Sequence, residues 1–505
     1  SRCGRSAWFS ESRLSLGALA MHLRCHAGGH RTEKRSIRSA FASTVALGLA
    51  TAVVHALLRR SACCWAALSF EQAASRASRS HALAAQRTSP RFRLASTSRA
   101  WQGLRERSGR RATHDAASNA VGRVVILGAG LHGAALAYYL TLQGVRPIVV
   151  ERKKVAAAAS GKGGGFLARD WGDAVTRQLH KVSFRLHEEL AATLGIESYR
   201  KLPVVSVAPG ARTARTRDIC PWLDGEIADS QVMDADGGAQ VAPLELCTKL
   251  MDAAISRGAE VRIGVAEGID TEPGDDGLER VTGVIVDGDT VPADKVCVCL
   301  GPWAALLEDW LGLPVPMTGV KSTSIVFRSD EPVEPYALFC GEDDRFGTHL
   351  EVYPRNTGEV YLCGIGGSEY IDARMLRAGK MLPGDVHADP ARVEAATASF
   401  SLMSRRLGGR PDTVQACMRP CLPDARPIMG KVPHVRGAYV SAGHNCWGIL
   451  WAPVSGLAMS ELIVDGTARC VDLSRFSPGR FGGAAGASRG GRGRKMGTVS
   501  VGEQW

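Results

Sequence analysis

Cysteine-based sites are the first feature that the sequence lacks. None of its 14 cysteines forms a CxxC pair, and no cluster of cysteine and histidine has the spacing of a zinc site. Four cysteines lie near the N-terminus (Cys3, Cys25, Cys63, Cys64), and the others are scattered through the chain. We therefore expect no bound metal, and we expect reduced, mostly buried thiols of the kind found in non-oxidising compartments.

Acidic residues are scarce at both ends of the chain. Residues 1–114 hold 20 Lys+Arg against 4 Asp+Glu, and residues 475–505 hold 6 against 1. Since the formal net charge of the whole chain is +12, the body between these ends carries −9. A nucleic-acid-binding function would depend on the tails alone, so we expect no nucleic-acid partner.

The two ends also lack a pattern that could build a core. Residues 1–115 are rich in Ser, Ala and Arg, and include an uncharged stretch, Ser39–Leu58, that is only mildly apolar. Such a stretch followed by an Arg/Ser-rich, acid-poor one is typical of organelle targeting, to a plastid or mitochondrion. The alternatives are a disordered region of a cytoplasmic protein and, less favoured, a membrane anchor, so no stable membrane span is expected. Residues 475–505 are expected to form a flexible Gly/Arg-rich tail.

One motif in the body predicts dinucleotide binding. The β-branched run Arg123–Leu127 indicates a buried strand, and GAGLHG follows at once, with Gly128, Gly130 and Gly133 as its glycines. The first glycine allows a tight turn, the second lets the backbone approach a pyrophosphate, and the third lets a helix pack against the strand. The helix N-terminus then offers free N–H groups to phosphates.

The sequence after this motif completes the unit. Ala134–Leu142 is a strong helix former that Gly144 stops, and a second apolar run, Pro147–Val150, ends in Glu151. An acid at this position can accept hydrogen bonds from a ribose. His132, inside the glycine turn, is expected to be structural or solvent-facing. The motif alone leaves FAD and NAD open.

Four further sequence segments follow in the body. A plain NAD-dependent dehydrogenase does not need the first of them, a second glycine-rich loop. The others are a helix leading to a strand, a strand ending in a glycine turn, and a glycine-histidine turn before a helix expected at Pro453–Leu462. In order, these pieces are SGKGGGF (160–166), QVAP to EVRI (240–263), ADKVCVCLGPW (293–303) and GHNCWGIL (443–450).

In this order the pieces resemble the D-amino-acid oxidase family of FAD-dependent oxidoreductases, which includes glycine and sarcosine oxidases. The resemblance covers about residues 122–467. The segments GKGGGFLARDW, HLEVYPRNTGEVYLCG and GHNCWGIL resemble a branch of oxidoreductases of undefined substrate more than any assigned oxidase. One fungal member of that branch is linked to endosomal traffic.

The resemblance implies a set of FAD-binding residues. Gly128, Gly130, Gly133 and Glu151 would hold the ADP half, and Val265 would meet the adenine through its backbone. The loop with Ser160, Gly161 and Gly164 would pass beneath the pyrophosphate and the ring. The residues at the ribityl chain and the isoalloxazine ring would be Gly301, Gly443, His444, Gly448 and Ile449, and we place His444 in the catalytic centre.

The segment ACMRP at 416–420 bears on substrate and cofactor attachment. The arginine before proline in the amino-acid oxidases grips the substrate carboxylate, and Arg419 stands at that position. A planar fork of N–H donors suits this task. Cys417 matches the cysteine that carries flavin covalently in monomeric sarcosine oxidase. We expect Arg419 to be the carboxylate anchor and FAD to be bound non-covalently.

The expected fold is α/β: a Rossmann-like FAD-binding domain, with an interleaved substrate domain on a mixed, largely antiparallel sheet. The FAD domain is assigned to residues 116–195, 237–305 and 412–474, and the substrate domain to 196–236 and 306–411. Lys321, Tyr353 and Arg355, on or beside strands of the second domain, are expected to be surface residues.

The expected function is oxidation of an amine or amino acid by hydride transfer to flavin N5. Oxygen or another acceptor would then reoxidise the flavin. The alternatives are a flavin dehydrogenase acting on a hydroxy acid and a flavin-containing protein with a mainly interaction or trafficking role. The family's chemistry requires no acid or base, so the sequence nominates none.

Overall fold

The computed structural model describes residues 121–482. The predicted targeting region, including Ser39–Leu58, and the tail beyond Gly482 lie outside the described residues. The helices are α1 (Leu131–Leu142), α2 (Arg177–Leu194), α3 (Pro243–Ile255), α4 (Leu307–Leu311), α5 (Ala373–Arg377), α6 (Pro390–Met403) and α7 (Gly448–Asp465).

Short strands make up most of the remaining regular structure. In chain order they are β1 (Val124–Leu127), β2 (Ile148–Glu151), β3 (Phe166–Ala168), β4 (Arg200–Lys201), β5 (Val204–Pro209), β6 (Ile227–Asp234), β7 (Gly238–Gln240), β8 (Glu260–Ile263), β9 (Ala266–Pro273), β10 (Glu279–Val286), β11 (Asp289–Pro292), β12 (Lys295–Val298), β13 (Thr318–Arg328), β14 (Ala337–Cys340), β15 (Glu351–Pro354), β16 (Glu359–Cys363), β17 (Glu369–Ile371), β18 (Thr413–Cys421), β19 (Ile428–Lys431), β20 (Val435–Arg436) and β21 (Ala438–Ala442).

A six-stranded sheet of order β19-β21-β12-β1-β2-β8 carries the dinucleotide motif. Its strands are parallel except β19, which runs antiparallel to β21. β1 is apolar and buried at every position, as expected for a parallel strand with both faces covered. α1 packs against α3 and α7 on one face of this sheet. The Rossmann-like half of the predicted fold is confirmed.

The second large sheet has eight strands and is mixed. Its order is β17-β13-β16-β15-β14-β5-β6, and β18 also pairs with β13. Most pairs are antiparallel, and β14 pairs parallel with β5. β18 forms a nine-pair ladder with β13 from Thr318–Cys421 to Val326–Thr413. Residues 413–421, assigned from sequence to the FAD domain, therefore belong to the substrate sheet.

The two large sheets lie in one compact unit, together with two smaller sheets built from β9–β11 with β20 and from β3, β4 and β7. The apolar core is divided by the six-stranded sheet into a cluster beneath α1 and α7 and a cluster on the opposite face. A separate cluster packs on the eight-stranded sheet and includes Phe327, Phe400 and Trp222. Burial of this apolar surface stabilises both sheets.

The helix predicted at Pro453–Leu462 begins five residues earlier, at Gly448, and contains Pro453 in its interior. Pro453 has no N–H to donate to Ile449 O. His187 of α2 lies within 3.1 Å of Ile449 O and of Leu450 O through its Nε2, and Ser183 Oγ accepts the Val454 N–H at 3.2 Å. Side chains of α2 thus replace the helical hydrogen bonds that the proline removes.

The same helical stretch, Asn445–Asp465, is the one among the described residues that is long and apolar enough to cross a membrane. Most of it is buried inside the protein. Four of its residues have no exposed surface and belong to the core cluster beneath α1 and α7: Leu450, Ala452, Val454 and Ala458. This burial is that of a core helix.

The start of the predicted flexible tail is wrong for residues 475–482. Short 3-10 turns at Ser474–Phe476 and Pro478–Phe481 pack on the body, and Phe476 is 2% exposed. Arg480 forms an ion pair with Asp424, with Nε 2.8 Å from Oδ2. One aromatic side chain in a core pocket and one ion pair order this segment despite its glycine-rich composition.

A chain shortened to begin at Ala117 is expected to fold and to bind FAD. Val121 is the first described residue that joins the core, so this shortening removes no described contact. Circular dichroism and the flavin absorbance of the purified protein measure the outcome. A chain that begins at Ile126 is the control, because it loses half of β1 and should not fold. Loss of folding in the Ala117 chain would show that the removed residues belong to the domain.

Candidate functional site

The glycine turn after β1 is held by backbone contacts that exclude side chains. Gly128 has φ +100°, and a Cβ there would lie 2.7 Å from Cys299 O. A Cβ at Gly133 would lie 1.9 Å from Gly128 O. Since these obstacles are backbone atoms, the turn and the close approach of α1 to β1 both require glycine.

Helix α1 begins directly after this turn, with Gly130 as its N-cap residue. Ser160 Oγ accepts the N–H of Leu131 at 2.9 Å, which leaves the hydroxyl hydrogen of Ser160 free to be donated. A Cβ at Gly130 would come no closer than 3.0 Å to any other residue, and the atom it meets is this Oγ. The turn thus offers a side-chain donor beside the positive end of the helix, which suits a phosphate.

Glu151 stands at the end of β2, where the ribose-binding acid was expected. Its Oε2 accepts the N–H of Ala129 and its Oε1 that of Lys153, each at 3.0 Å. These two bonds fix the carboxylate while further lone pairs remain to accept from a diol. Val265 lies nearby, but its N–H already donates to Asp287 Oδ1 at 2.9 Å and its carbonyl accepts from Asp287 N at 3.0 Å. Only the second lone pair of that carbonyl remains for an adenine.

The second glycine-rich loop passes between the two large sheets. A Cβ at Gly164 would lie 2.6 Å from Cδ2 of Tyr353, and Gly165 has φ +91° with its Cβ position 1.8 Å from Val241 O. Arg355 donates through Nη2 to Gly163 O at 3.0 Å. The loop is therefore fixed against the substrate sheet by contacts that only glycine permits.

These elements enclose a cavity of about 510 Å³. It runs from the end of β2 to the face of the eight-stranded sheet, so that it joins the dinucleotide motif to the substrate domain. Eleven of the fourteen site residues expected from the sequence line it. They are Gly128, Gly130, Glu151, Ser160, Gly164, Val265, Gly301, Arg419, His444, Gly448 and Ile449.

Three glycines expected to contact the cofactor do not line the cavity. Gly133 faces the carbonyl of Gly128, and a Cβ at Gly161 would lie 2.3 Å from Ala156 O. Gly443 has φ +76°, and its Cβ position is 2.6 Å from Leu422 Cδ1. These residues shape the turns that present their neighbours to the cavity.

Two histidines form a stacked pair in the wall of the cavity. The ring centroids of His132 and His444 are 3.6 Å apart, at an interplanar angle of 19°. Burial lowers the pKa of His132 to about 3 and that of His444 well below its usual range. His444 Nε2 lies 3.1 Å from Ser455 Oγ, and neither Nδ1 has a hydrogen-bond partner among the described residues. Both rings are neutral at physiological pH, and His132 packs on His444 in the wall of the cavity.

Arg419 reaches the cavity from β18. Its Nη1 is 3.4 Å from Asn445 Oδ1, and its Nη2 is 3.4 Å from Ser322 Oγ. Both contacts are long, and among the described residues Arg419 forms no ion pair with a carboxylate. A half-buried guanidinium with two weak neutral partners retains most of its capacity to bind an anion.

Cys417 lies two residues before Arg419 and also lines the cavity. Burial raises the pKa of its thiol, although the charges of Arg419 and Lys162 act in the opposite direction. The nucleophile in cysteine chemistry is the thiolate. A protonated Cys417 thiol is therefore a poor nucleophile in this structure.

A buried carboxylate in the cavity was missed from the sequence. Glu351, at the start of β15, is 9% exposed and accepts hydrogen bonds at Oε2 from the Tyr353 hydroxyl and, at 3.5 Å, from Cys363 Sγ. Burial raises the pKa of its carboxyl to about 7, against the opposing effects of those bonds and of the Arg419 charge. The one available signal was an acid in an otherwise apolar strand sequence, LEVYP.

Aromatic side chains form the rest of the substrate-sheet wall. Tyr353 is 3% exposed and stacks on Phe166 with centroids 5.5 Å apart, so its assignment as a surface residue is wrong. Trp171, Phe339 and Tyr361 continue this wall. Their burial excludes water from this end of the cavity.

The other two residues expected at the surface are only partly exposed. The Arg355 side chain is 15% exposed, and its Nη1 lies 2.7 Å from Glu359 Oε2. Lys321 is 22% exposed and pairs with Glu369. Arg355 supports the glycine loop from behind, and Lys321 belongs to an ion pair at the edge of β13 and β17.

The residues of the cavity fit FAD. The glycine turn, the Ser160 hydroxyl and Glu151 suit a pyrophosphate and a ribose at one end. The partnerless Nδ1 atoms of His132 and His444 and the N-terminus of α7 provide polar groups at the other end, where no side chain caps the helix.

Comparison with known proteins agrees with this geometry. The model of the FAD dependent oxidoreductase family matches residues 123–462. An oxidoreductase of Schizosaccharomyces pombe without an assigned substrate is 25% identical over 389 residues, which are 70% of this chain and 97% of that protein. Glycine oxidase of Geobacillus kaustophilus is 26% identical over 400 residues, covering 72% of this chain and 98% of the enzyme.

Solved structures show the same fold. The crystal structure of the Geobacillus kaustophilus glycine oxidase has a TM-score of 0.57 at 21% identity and covers 71% of this chain and 98% of its own. L-amino acid deaminase from Proteus vulgaris has a TM-score of 0.59 at 16% identity, with 71% and 97% covered. The glycine turn, the acid at the end of β2, the joined cavity and the matched family model lead to one conclusion: this chain belongs to the FAD dependent oxidoreductase family that includes the D-amino-acid oxidases.

Proposed function

We propose that the protein oxidises an amine or an amino acid with non-covalently bound FAD, and that Arg419 anchors the carboxylate of the substrate. The observation that carries this proposal is the guanidinium of Arg419, which lines the cavity without a carboxylate partner among the described residues. Burying such a charge is costly unless it is paired. A substrate carboxylate would supply the missing partner.

The residues around the cavity have distinct tasks in this reaction. FAD, when bound, supplies the hydride acceptor. Arg419 orients the substrate through its carboxylate, and the aromatic wall of Phe166, Phe339 and Tyr353 excludes water from its apolar part. The N-terminus of α7 points its unpaired N–H groups and positive end at the cavity, where they stabilise negative charge. His444 holds no proton that it could give as a charged acid, because its pKa is far below neutrality.

The names of related proteins support the same substrate class. They include a glycine oxidase, a mitochondrial sarcosine dehydrogenase of Mus musculus and a 4-methylaminobutanoate oxidase of Paenarthrobacter nicotinovorans. The last two are matched over less than half of their own length. Each of these named substrates carries an amine and a carboxylate, which is the pair of groups that an arginine anchor beside a hydride acceptor selects. The electron acceptor is oxygen or another oxidant.

Anaerobic reduction of the bound flavin tests this function. Purified holoprotein is mixed with glycine, sarcosine, L-proline, 4-methylaminobutanoate, glycolate and lactate, and the flavin absorbance is followed. We expect bleaching by at least one amine and by neither hydroxy acid. Bleaching by glycolate or lactate alone would favour a hydroxy-acid dehydrogenase. A yellow protein that no compound reduces would favour an interaction or trafficking role.

Release of flavin by acid tests the mode of attachment. We expect all yellow colour to leave the protein on acid precipitation, because burial keeps the Cys417 thiol protonated. The Cys417→Ser variant serves as the control and should release its flavin identically. Colour that stays with the wild-type pellet and leaves that of the variant would show a covalent link at Cys417.

We also propose that residues 1–115 direct the protein to a plastid or a mitochondrion. The support is the composition of this region, which is acid-poor and rich in Ala, Ser and Arg after an uncharged stretch. A fusion of residues 1–115 to a fluorescent protein should enter one of these organelles. Diffuse cytoplasmic fluorescence of the fusion would contradict the proposal.

A further inference from the structure

The proposed function gives no role to Glu351, although its buried carboxylate lies in the cavity. Glu351 lines the same cavity as Arg419 and stands on β15, a different strand of the same eight-stranded sheet. Glu351 accepts both of its hydrogen bonds at Oε2, and Oε1 accepts none from the described residues. One oxygen of a fixed carboxylate is therefore left for a ligand.

The positive charge of Arg419 acts on the carboxyl of Glu351. Arg419 lowers the pKa of Glu351 through its charge, and so the two groups interact across the cavity. The guanidinium is held by Asn445 and Ser322 and not by Glu351, as no hydrogen bond or ion pair joins the two side chains. The cavity thus presents a cation and a carboxylate to whatever enters it.

A ligand with a carboxylate and an ammonium group matches this pair. Its carboxylate would neutralise Arg419, and its ammonium would donate to Glu351. Hydride transfer from the carbon that bears the nitrogen requires a free nitrogen lone pair. An amine that binds in its neutral form needs no base, whereas one that binds as the ammonium must first lose a proton. A carboxylate beside the ammonium is a suitable acceptor when its pKa lies near the working pH.

We propose that Glu351 is a catalytic base that takes the ammonium proton of the substrate through Oε1. The N–H bond of the ammonium breaks, an O–H bond forms on Glu351, and the substrate is left as the neutral amine with its lone pair on nitrogen. No electron transfer takes place in this step. The Tyr353 hydroxyl and the Cys363 thiol, both bonded to Oε2, hold the carboxyl in place in both protonation states. This inference rests on the proposed function, because it takes an amine as the substrate.

The tyrosine and cysteine side chains around Glu351 do not ionise in the same pH range. Burial raises the pKa of Tyr353, Cys363 and Cys340 well above their usual ranges and that of Cys446 to about 11. His349, two residues earlier, is a second titratable side chain that lines the cavity. Substitution at both positions separates their contributions.

The pH dependence follows from the raised pKa of Glu351. Below about pH 7 the carboxyl is protonated and cannot accept a proton, and above it the carboxylate is available. The rate of anaerobic flavin reduction by the best amine of the panel should therefore rise with pH through a pKa near 7 in wild-type holoenzyme. The same ionisation should persist in His349→Gln.

The Glu351→Gln variant tests the proposal directly. We expect flavin reduction at neutral pH to slow by about 10²–10⁴-fold, the ionisation near 7 to vanish, and the rate to recover as the pH approaches the pKa of the substrate's own amine. Its dissociation constant for acetate, a carboxylate without an amine, should not rise in a titration of flavin absorbance, since Arg419 is intact and the substitution removes a nearby negative charge. Glu369→Gln, on β17 of the same sheet and paired with Lys321 away from the cavity, is the matched control and should behave as wild type.

Three results would overturn the proposal in distinguishable ways. A Glu351→Gln variant that keeps the wild-type pH profile would show that Glu351 is not the base. Weakened acetate binding in proportion to the lost rate would show a structural role. A wild-type holoenzyme that no amine reduces would contradict the proposed function itself, and with it the substrate of this step.

Discussion

Replacing Arg419 by alanine is expected to raise KM for a carboxylate-bearing amine by one to two orders of magnitude. A charge-assisted hydrogen bond contributes about 1.5–3 kcal/mol, which corresponds to a roughly 10- to 150-fold change in KM. The effect should fall at the upper end, because Arg419 has only two weak neutral contacts and the substrate carboxylate would be its main partner.

Two further variants test whether Arg419 acts as a specific carboxylate anchor or only as a positive charge. Arg419→Lys should restore little, since an ammonium cannot form the two parallel bonds of a guanidinium. Arg328→Ala is the matched control: Arg328 lies on β13 of the same sheet, is 62% exposed and pairs with Glu359 outside the cavity. Steady-state kinetics with one amino acid and with its decarboxylated amine should show that only the amino acid loses affinity. Unchanged kinetics in Arg419→Ala would contradict the carboxylate anchor and favour a plain amine as substrate.

Replacing Gly130 by valine is expected to give a folded protein without flavin. The nearest atom to a Cβ at this position is Ser160 Oγ at 3.0 Å, so the fold can absorb the first carbon by a small shift of that side chain. The two valine methyl groups would then project into the cavity in front of the N-terminus of α1, where a pyrophosphate must approach the backbone. The ratio of flavin to protein absorbance after purification measures the loss.

Two other glycine variants test whether the loss of flavin is specific to position 130. Gly341→Val is the control, because the position has no close neighbour and does not line the cavity; it should retain full flavin content. Gly133→Ala should instead fail to fold, since its Cβ would meet a backbone carbonyl at 1.9 Å. Full flavin content in Gly130→Val would show that the cofactor is held elsewhere than at this turn.

The dinucleotide-binding half could be predicted from sequence because its signals are local. The run from Val124 to Glu151 shows strand, turn, helix and strand within 28 residues, and each glycine has a backbone reason visible in the pattern. The limit of this approach appears at Gly161 and Gly443. A glycine next to a cofactor and a glycine that only turns the chain beside one have the same sequence pattern, and packing decides between them.

The substrate half depends on contacts between distant strands, which a local pattern does not reveal. β18 was assigned to the wrong domain because its pairing with β13 spans about a hundred residues of sequence. Tyr353 was taken for a surface residue because alternation along a strand does not say which face is covered. Glu351 went unnoticed for the same reason: its raised pKa comes from burial in a cavity that many segments, distant in sequence, enclose.

The proline inside α7 constrains how this chain can vary. His187 bonds Ile449 O because Pro453 cannot, so the two positions share one hydrogen-bond acceptor although they lie far apart in sequence. Any other residue at 453 would return an N–H to Ile449 O, and His187 would then compete for that carbonyl and keep only Leu450 O to itself. Substitution at either position should therefore favour a compensating change at the other. Among relatives that keep the rest of this helix, proline at 453 and a donor at 187 should be inherited together or lost together.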